Sequence, residues 1–207
     1  NAHAAGYNVE APTAPAPGVP RGTAVGAQDL MNNLITRHGL SVGEAAAVAA
    51  NWQRESGLNP GDVTREGGGQ GARGLAQWRG SRIDAFKARY GTTPDQATIN
   101  QQIDFMLNDP YERAKLDESF RRGGSPAELG ASYSRVYEAH GKTAEDARRG
   151  ELAAQLAAQY RTANPNAPGG TAPISIQTVN VQANNPGEFV GSMQRIASPQ
   201  NYNAAVR

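Results

Sequence analysis

At 207 residues and 38% hydrophobic content, the chain is long enough for one globular domain, with residues left over for tails or a small second unit. Its 20 basic residues nearly match its 19 acidic ones, so it lacks the strongly basic field of a nucleic-acid binder, and no nucleic-acid specificity is expected. The lack of cysteine excludes disulfides, thiolate metal sites and a cysteine nucleophile, and no run is long and apolar enough for a membrane span or a signal-peptide core.

The sequence starts on Asn1 rather than methionine, as expected of a processed product or a piece of a longer polypeptide. Residues 1–24 include Ala11-Pro12-Thr13-Ala14-Pro15-Ala16-Pro17 and read as an extended Pro/Ala-rich linker, too poor in large apolar groups to pack. From Ala27, the spacing of Leu30, Leu34, Ile35 and His38 gives a helical stripe that Gly39 closes. Ser41-Val42-Gly43-Glu44 is a capping-box pattern, and Ala45, Val48, Ala49 and Trp52 share one face of the following helix until Gly57 stops it.

A glycine-rich loop, Gly67 to Gly74, comes next. Its G-x-G-x-x-G spacing from Gly69 formally suits a dinucleotide, but no strand pattern precedes it and no long helix follows, so that reading is rejected. It is either a flexible loop or a place where the backbone of Gly74 comes close to an extended ligand.

A helix from Ser81 carries Ile83, Phe86 and Tyr90, with Gly91 as its stop. Another runs from Gln96 to Asn108 and is broken by Pro110, and Leu116 and Phe120 mark a short one. Ser125-Pro126-Ala127-Glu128 combines an N-cap serine, a proline at the first helical position and a glutamate three residues after the cap; Leu129, Tyr133, Val136 and Tyr137 follow. Thr143 is expected to cap the last helix, which reaches Asn164-Pro165.

The domain is therefore expected to be mainly α over residues 25–163. Residues 164–173 read as a second linker, and residues 174–207 as a small β-plus-helix docking tail. In that tail Ile174 and Ile176 alternate in one phase, Val179 and Val181 in the other, and Phe189, Val190, Met193 and Ile196 lie on a short helix. Alone it buries too little to be stable, so it is expected to pair with another chain.

Glu55 is the candidate catalytic acid. It stands in the last turn of its helix, where the negative end of the dipole disfavours the ionised carboxylate by roughly 0.3–1 kcal/mol. Burial against Trp52, Leu58 or Trp78 would keep its proton on near neutral pH, which is what a general acid at a glycosidic oxygen requires. Asp62 and Glu66 are the nearest candidates for a second carboxylate. Trp52 and Trp78 are either core residues or platforms for sugar rings, and Gln77 offers directed hydrogen bonds. No serine lies in a G-x-S-x-G setting. His3, His38 and His140 are scattered, and no metal or cofactor is expected.

Glu55-Ser56-Gly57-Leu58-Asn59-Pro60, the glycine-rich gap, then Gly74-Leu75-Ala76-Gln77-Trp78-Arg79 and Arg82 resemble the phage tail lysozyme family. That family is part of a superfamily with goose-type lysozymes and soluble lytic transglycosylases. Gln101-Gln102-Ile103-Asp104-Phe105 resembles an inner motif of the family. Tyr137-Glu138, followed by Arg148-Arg149 and a terminal helix, resembles its closing motif. The likeness covers most of residues 27–162.

The resemblance implies a lysozyme-like helical fold, peptidoglycan as substrate and Glu55 as catalytic glutamate. Ser56, Gly74, Gln77, Trp78 and Tyr137 would be substrate-binding. It implies a place in the tail or ejection machinery of a virion, action at the bacterial cell wall during genome entry, and contacts to other tail or ejection proteins through the docking tail. The bond cut would be the β-1,4 link between N-acetylmuramic acid and N-acetylglucosamine, by a muramidase using water or a lytic transglycosylase using the sugar's 6-hydroxyl. The alternative is a structural tail or ejection protein whose domain only binds glycan or virion proteins. In that case Glu55 would face solvent, or be bonded to Arg54 or Arg73 outside any groove.

Overall fold

A computed structural model describes residues 23–65, 71–139 and 141–167. The expected linker before residue 23, the β-plus-helix tail, Glu66 and His140 lie outside the described residues.

Seven α-helices and one small hairpin make up the described residues: α1 (Ala27–His38), α2 (Val42–Ser56), β1 (Val63–Thr64), β2 (Ala72–Arg73), α3 (Ser81–Tyr90), α4 (Ile99–Asn108), α5 (Pro110–Phe120), α6 (Pro126–Tyr133) and α7 (Thr143–Ala163). The expected mainly helical class is what the structure shows.

The central element is α2. The Ser41 hydroxyl accepts from the Glu44 amide at 3.2 Å and the Glu44 carboxylate accepts from the Ser41 amide at 2.8 Å, so the expected capping box is formed. Every residue from Val42 to Trp52 except the cap partner Glu44 is buried. Its alanines let α1, α6 and α7 pack closely around it. Where α6 and α7 meet, a Cβ on Gly130 would stand 2.7 Å from the Ala153 Cβ, and one on Gly150 would stand 2.6 Å from the Ala127 carbonyl oxygen. Only glycine permits that approach.

A second part of the core is aromatic. Trp78 lies edge-on to Phe105 at 5.4 Å, and Phe86 to Phe105 at 4.9 Å, in the T-shaped geometry that ring quadrupoles favour. This cluster joins α3 and α4 to the loop that follows β2.

Several boundaries differ from the sequence expectation. The helix expected from Gln96 begins at Ile99, because Thr98 forms its own capping box with Gln101 and Pro94–Gln96 is a separate 3-10 turn. Asp109 ends α4 and caps α5 through the amides of Tyr111 and Glu112, so Pro110 opens a helix of 11 residues rather than merely breaking one. Thr143 is not a cap: it is already the first residue of α7, preceded by Lys142 without a side-chain cap. The helix from Ser125 passes into a π-turn at Ser134–Glu138, whose Ala139 amide reaches back to the Ser134 carbonyl at 3.0 Å.

Candidate active site

The last turn of α2 presents Glu55, and Gly57 ends the helix in the left-handed region at φ 60°. The chain then forms the β1–β2 hairpin and turns at Gly74, φ 75°. Behind this turn lies Gln102, with no exposed surface. Its Oε1 accepts from the Leu75 amide at 2.7 Å, and its Nε2 donates to the carbonyls of Pro60 at 2.9 Å and Pro94 at 2.8 Å. One buried amide on α4 therefore fixes both ends of the loop.

Glu55 opens into a cleft of about 370 Å³ lined, among the described residues, by Glu55, Thr64, Gln77, Arg79, Arg82 and Glu138. The environment of Glu55 is not the apolar one expected. Trp52, Leu58 and Trp78 are buried in the core, while Glu55 is 21% exposed and its Oε1 accepts from Arg149 Nη1 at 2.7 Å. Arg149, 7% exposed, also donates to Asn51 Oδ1 at 3.2 Å and reaches Glu145 at 3.4 Å. Asn51 in turn donates to the Ala47 carbonyl of its own helix and the Gly130 carbonyl of α6. Glu55 is thus the end of a polar chain that ties α2 to α7. Arg54 and Arg73 are bonded instead to Glu145 at 2.8 Å and Asp95 at 3.0 Å.

Opposite signs meet beneath the cleft. Glu112 has no exposed surface, and its two oxygens accept from Arg82 Nε and Nη2, each at 2.6 Å. Its Oε2 also accepts from the Trp78 indole at 3.2 Å and from the Tyr137 hydroxyl. The Arg82 guanidinium lies over the Tyr137 ring at 5.0 Å, and Tyr137 stacks on Tyr133 at 4.5 Å. Burial, then the charge of Glu112, holds the Tyr137 phenol well above its ordinary range, so it donates to Glu112 as a neutral group.

Glu138, at the end of the π-turn, is the second carboxyl in the cleft. The residue is only partly covered, but its Oε1 is enclosed and has no hydrogen-bond partner. That burial, reinforced by the negative charge of Glu55 and opposed by Arg82 and Arg149, pushes its carboxyl up to about 8.

Of the residues singled out in the sequence, Glu55 and Gln77 reach the cleft. Gln77 adopts φ 48°, a left-handed conformation that is unfavourable for a side-chain-bearing residue. Its Nε2 donates to the Gly74 carbonyl at 2.9 Å, and its buried Oε1 has no partner.

The others are placed differently. Trp78 has no exposed surface, being held by Phe86, Phe105 and Trp52, so it backs the site instead of offering a face to a sugar. Tyr137 is likewise buried. The Ser56 hydroxyl contacts the carbonyls of Leu75 at 2.9 Å and Trp52 at 3.1 Å, which pins the loop to α2 rather than orienting Glu55. The close approach at Gly74 is made to a side chain: a Cβ there would stand 2.5 Å from Gln102 Oε1. Asp62 is partly buried in the loop and does not line the cleft.

Glu138, Arg82, Arg149 and Glu112 were not singled out as site residues, although the Tyr137-Glu138 and Arg148-Arg149 pairs stand inside the closing motif. Among the described residues no group of three or more histidines or carboxylates is placed to hold a metal, and no helix is long and apolar enough to cross a membrane.

The family model described as phage tail lysozyme matches residues 26–160. Comparisons with curated proteins and with solved structures give no match.

Proposed function

The chain belongs to the phage tail lysozyme family, and from that premise we propose that it is a virion-associated glycosidase that cuts peptidoglycan with Glu55 as its catalytic acid. The bond is the β-1,4 link between N-acetylmuramic acid and N-acetylglucosamine, and the occasion is entry of the phage genome through the cell wall.

The observation that carries this reading is the opening of Glu55 into a cleft whose walls bear Gln77, Arg79, Arg82 and Glu138. A glycan needs a proton donor at its bridging oxygen and a polar wall that orients its ring. Gln77 is fixed in that wall, because its Nε2 donates to the Gly74 carbonyl at 2.9 Å. The strained backbone at Gln77 fits a position kept for binding rather than for stability.

In the reaction, the glycosidic oxygen takes a proton from Glu55 as its bond to C1 breaks, leaving positive charge on the sugar ring. Water or the ring's own 6-hydroxyl then bonds to C1 and returns a proton to the site. Water yields a muramidase product; the 6-hydroxyl yields an anhydro end.

Glu55→Gln is the test. It should stop clearing of purified cell walls while leaving the helical circular-dichroism spectrum unchanged; a folded Gln variant that still clears walls refutes the role of Glu55. Mass spectrometry of the released fragments distinguishes an added water from an anhydro ring.

A further inference from the structure

Glu55 Oε1 stands 2.7 Å from Arg149 Nη1, so a guanidinium already faces the carboxyl that must deliver the proton. A guanidinium in that place favours a site in which more than one carboxyl holds the proton. Among the described residues lining the cleft, the other carboxyl is Glu138.

The surroundings of Glu138 suit the neutral form. Charged groups bear on it from four helices: Glu55 on α2, Arg82 on α3, Glu112 on α5 and Arg149 on α7. Tyr133 at the end of α6 and the neighbouring Tyr137 are neutral phenols. Both arginines are already engaged, Arg82 by the two oxygens of Glu112 and Arg149 by Glu55, Asn51 and Glu145. The enclosed Oε1 has no donor pointing at it. Ionising Glu138 while Glu55 is charged would put two negative carboxylates in one cleft, one with an unsolvated oxygen.

We propose that Glu138 is the second carboxyl of the reaction, holding jointly with Glu55 one proton that the pair gives to the glycosidic oxygen and recovers from the attacking hydroxyl. This rests on Glu55 being the catalytic carboxyl. In the first step the bond from C1 to the bridging oxygen breaks, its electron pair stays on that oxygen, and the shared proton forms the new O–H. The pair is then doubly ionised beside the positive sugar ring, with Arg82 and Arg149 next to it. In the second step the oxygen of water or of the 6-hydroxyl bonds to C1, and its proton returns to the pair. Where two carboxyls hold one proton, the midpoints belong to the pair. The position of Glu138 near 8 means that the pair keeps its proton through neutral pH.

The test uses the full chain labelled with carboxyl-13C glutamate. A resonance missing from Glu138→Gln should titrate near pH 8 in the unaltered protein and at lower pH in Glu55→Gln, where the neighbouring charge is gone. In wall clearing, the alkaline limb of activity should fall at the same pH and move down by about one pH unit or more in Glu138→Gln. A Glu138 resonance in the ordinary carboxylate range, a midpoint indifferent to Glu55→Gln, or an unmoved alkaline limb overturns the shared proton.

Should Glu138→Gln be inactive at every pH, the NMR titration alone decides. That arm needs no turnover, so its failure is separate from failure of the Glu55 assignment, which wall clearing by Glu55→Gln would reveal.

Discussion

Replacing Glu112 by alanine removes an acceptor that four donors share. Arg82 loses two bonds of 2.6 Å, and the Trp78 indole and the Tyr137 hydroxyl lose their carboxylate partner in a closed interior. Breaking a buried ion pair from one side costs about 3–5 kcal/mol, chiefly because the remaining charge is uncompensated. Arg82 is 21% exposed and recovers some hydration, and Trp78 keeps a longer contact of 3.4 Å to the Tyr137 hydroxyl. Two weakened neutral donors add about 1–2 kcal/mol, so the expected net loss is roughly 4–6 kcal/mol.

A domain of this size has on the order of 5–15 kcal/mol in total, so Glu112→Ala should be marginal. Urea unfolding followed by the fluorescence of Trp52 and Trp78, both fully buried, measures the change. The melting temperature should fall by roughly 12–20 °C. The double replacement Glu112→Met with Arg82→Met should recover at least about half of the loss, since it removes the stranded charge as well. A single variant that loses less than about 1.5 kcal/mol would refute this account, as would a double variant no more stable than the single one.

Gly74→Ala forces a methyl to within 2.5 Å of Gln102 Oε1 and 2.9 Å of the Pro94 Cβ at φ 75°. It should cost about 3 kcal/mol or more by dislodging Gln102 from its three backbone partners, and an unchanged thermal melt would contradict the close approach. Glu138 adds a pH dependence with a defined sign. Its folded-state value, about 8, is raised above the ordinary 4.5, so between these pH values the folded chain keeps a proton that the unfolded chain has released. This contribution therefore lowers stability as pH rises through that window and is constant above it. Glu138→Gln removes it and should gain stability relative to the unaltered protein between pH 5 and 9, with about 4 kcal/mol as a ceiling. Melts in which the difference between the two proteins is flat with pH would show that Glu138 is not held neutral.

The helical class and most helix ends were legible in the sequence because they depend on local chemistry. Ser41-x-x-Glu44 and Ser125-x-x-Glu128 satisfy their own amides within one turn, and Gly39, Gly57 and Gly91 end helices by taking backbone angles that other residues resist. Where local signals compete, they misled: Thr143 has a capping side chain, but Gly141 and Lys142 bring the chain in so that Thr143 is already helical. The two-residue strands of the hairpin are too short to show any alternation.

The site itself was decided by tertiary packing. The indole of Trp78 has the same apolar character in a groove as in a core, and only the positions of Phe86 and Phe105 place it inside. Asp62 was near Glu55 in sequence, yet among the described residues the other carboxyl lining its cleft comes from the π-turn after α6, and the arginine that pairs with Glu55 comes from α7. Proximity along the chain says little about charges when helices fold back on one another. The close packing of α2 against α6 and α7 brings Glu55, Glu138 and Arg149 together, and it depends on the mutual fit of alanine and glycine faces, which no single stretch contains. Sequence therefore determined the helices and their caps, and the fold determined which charged groups face Glu55.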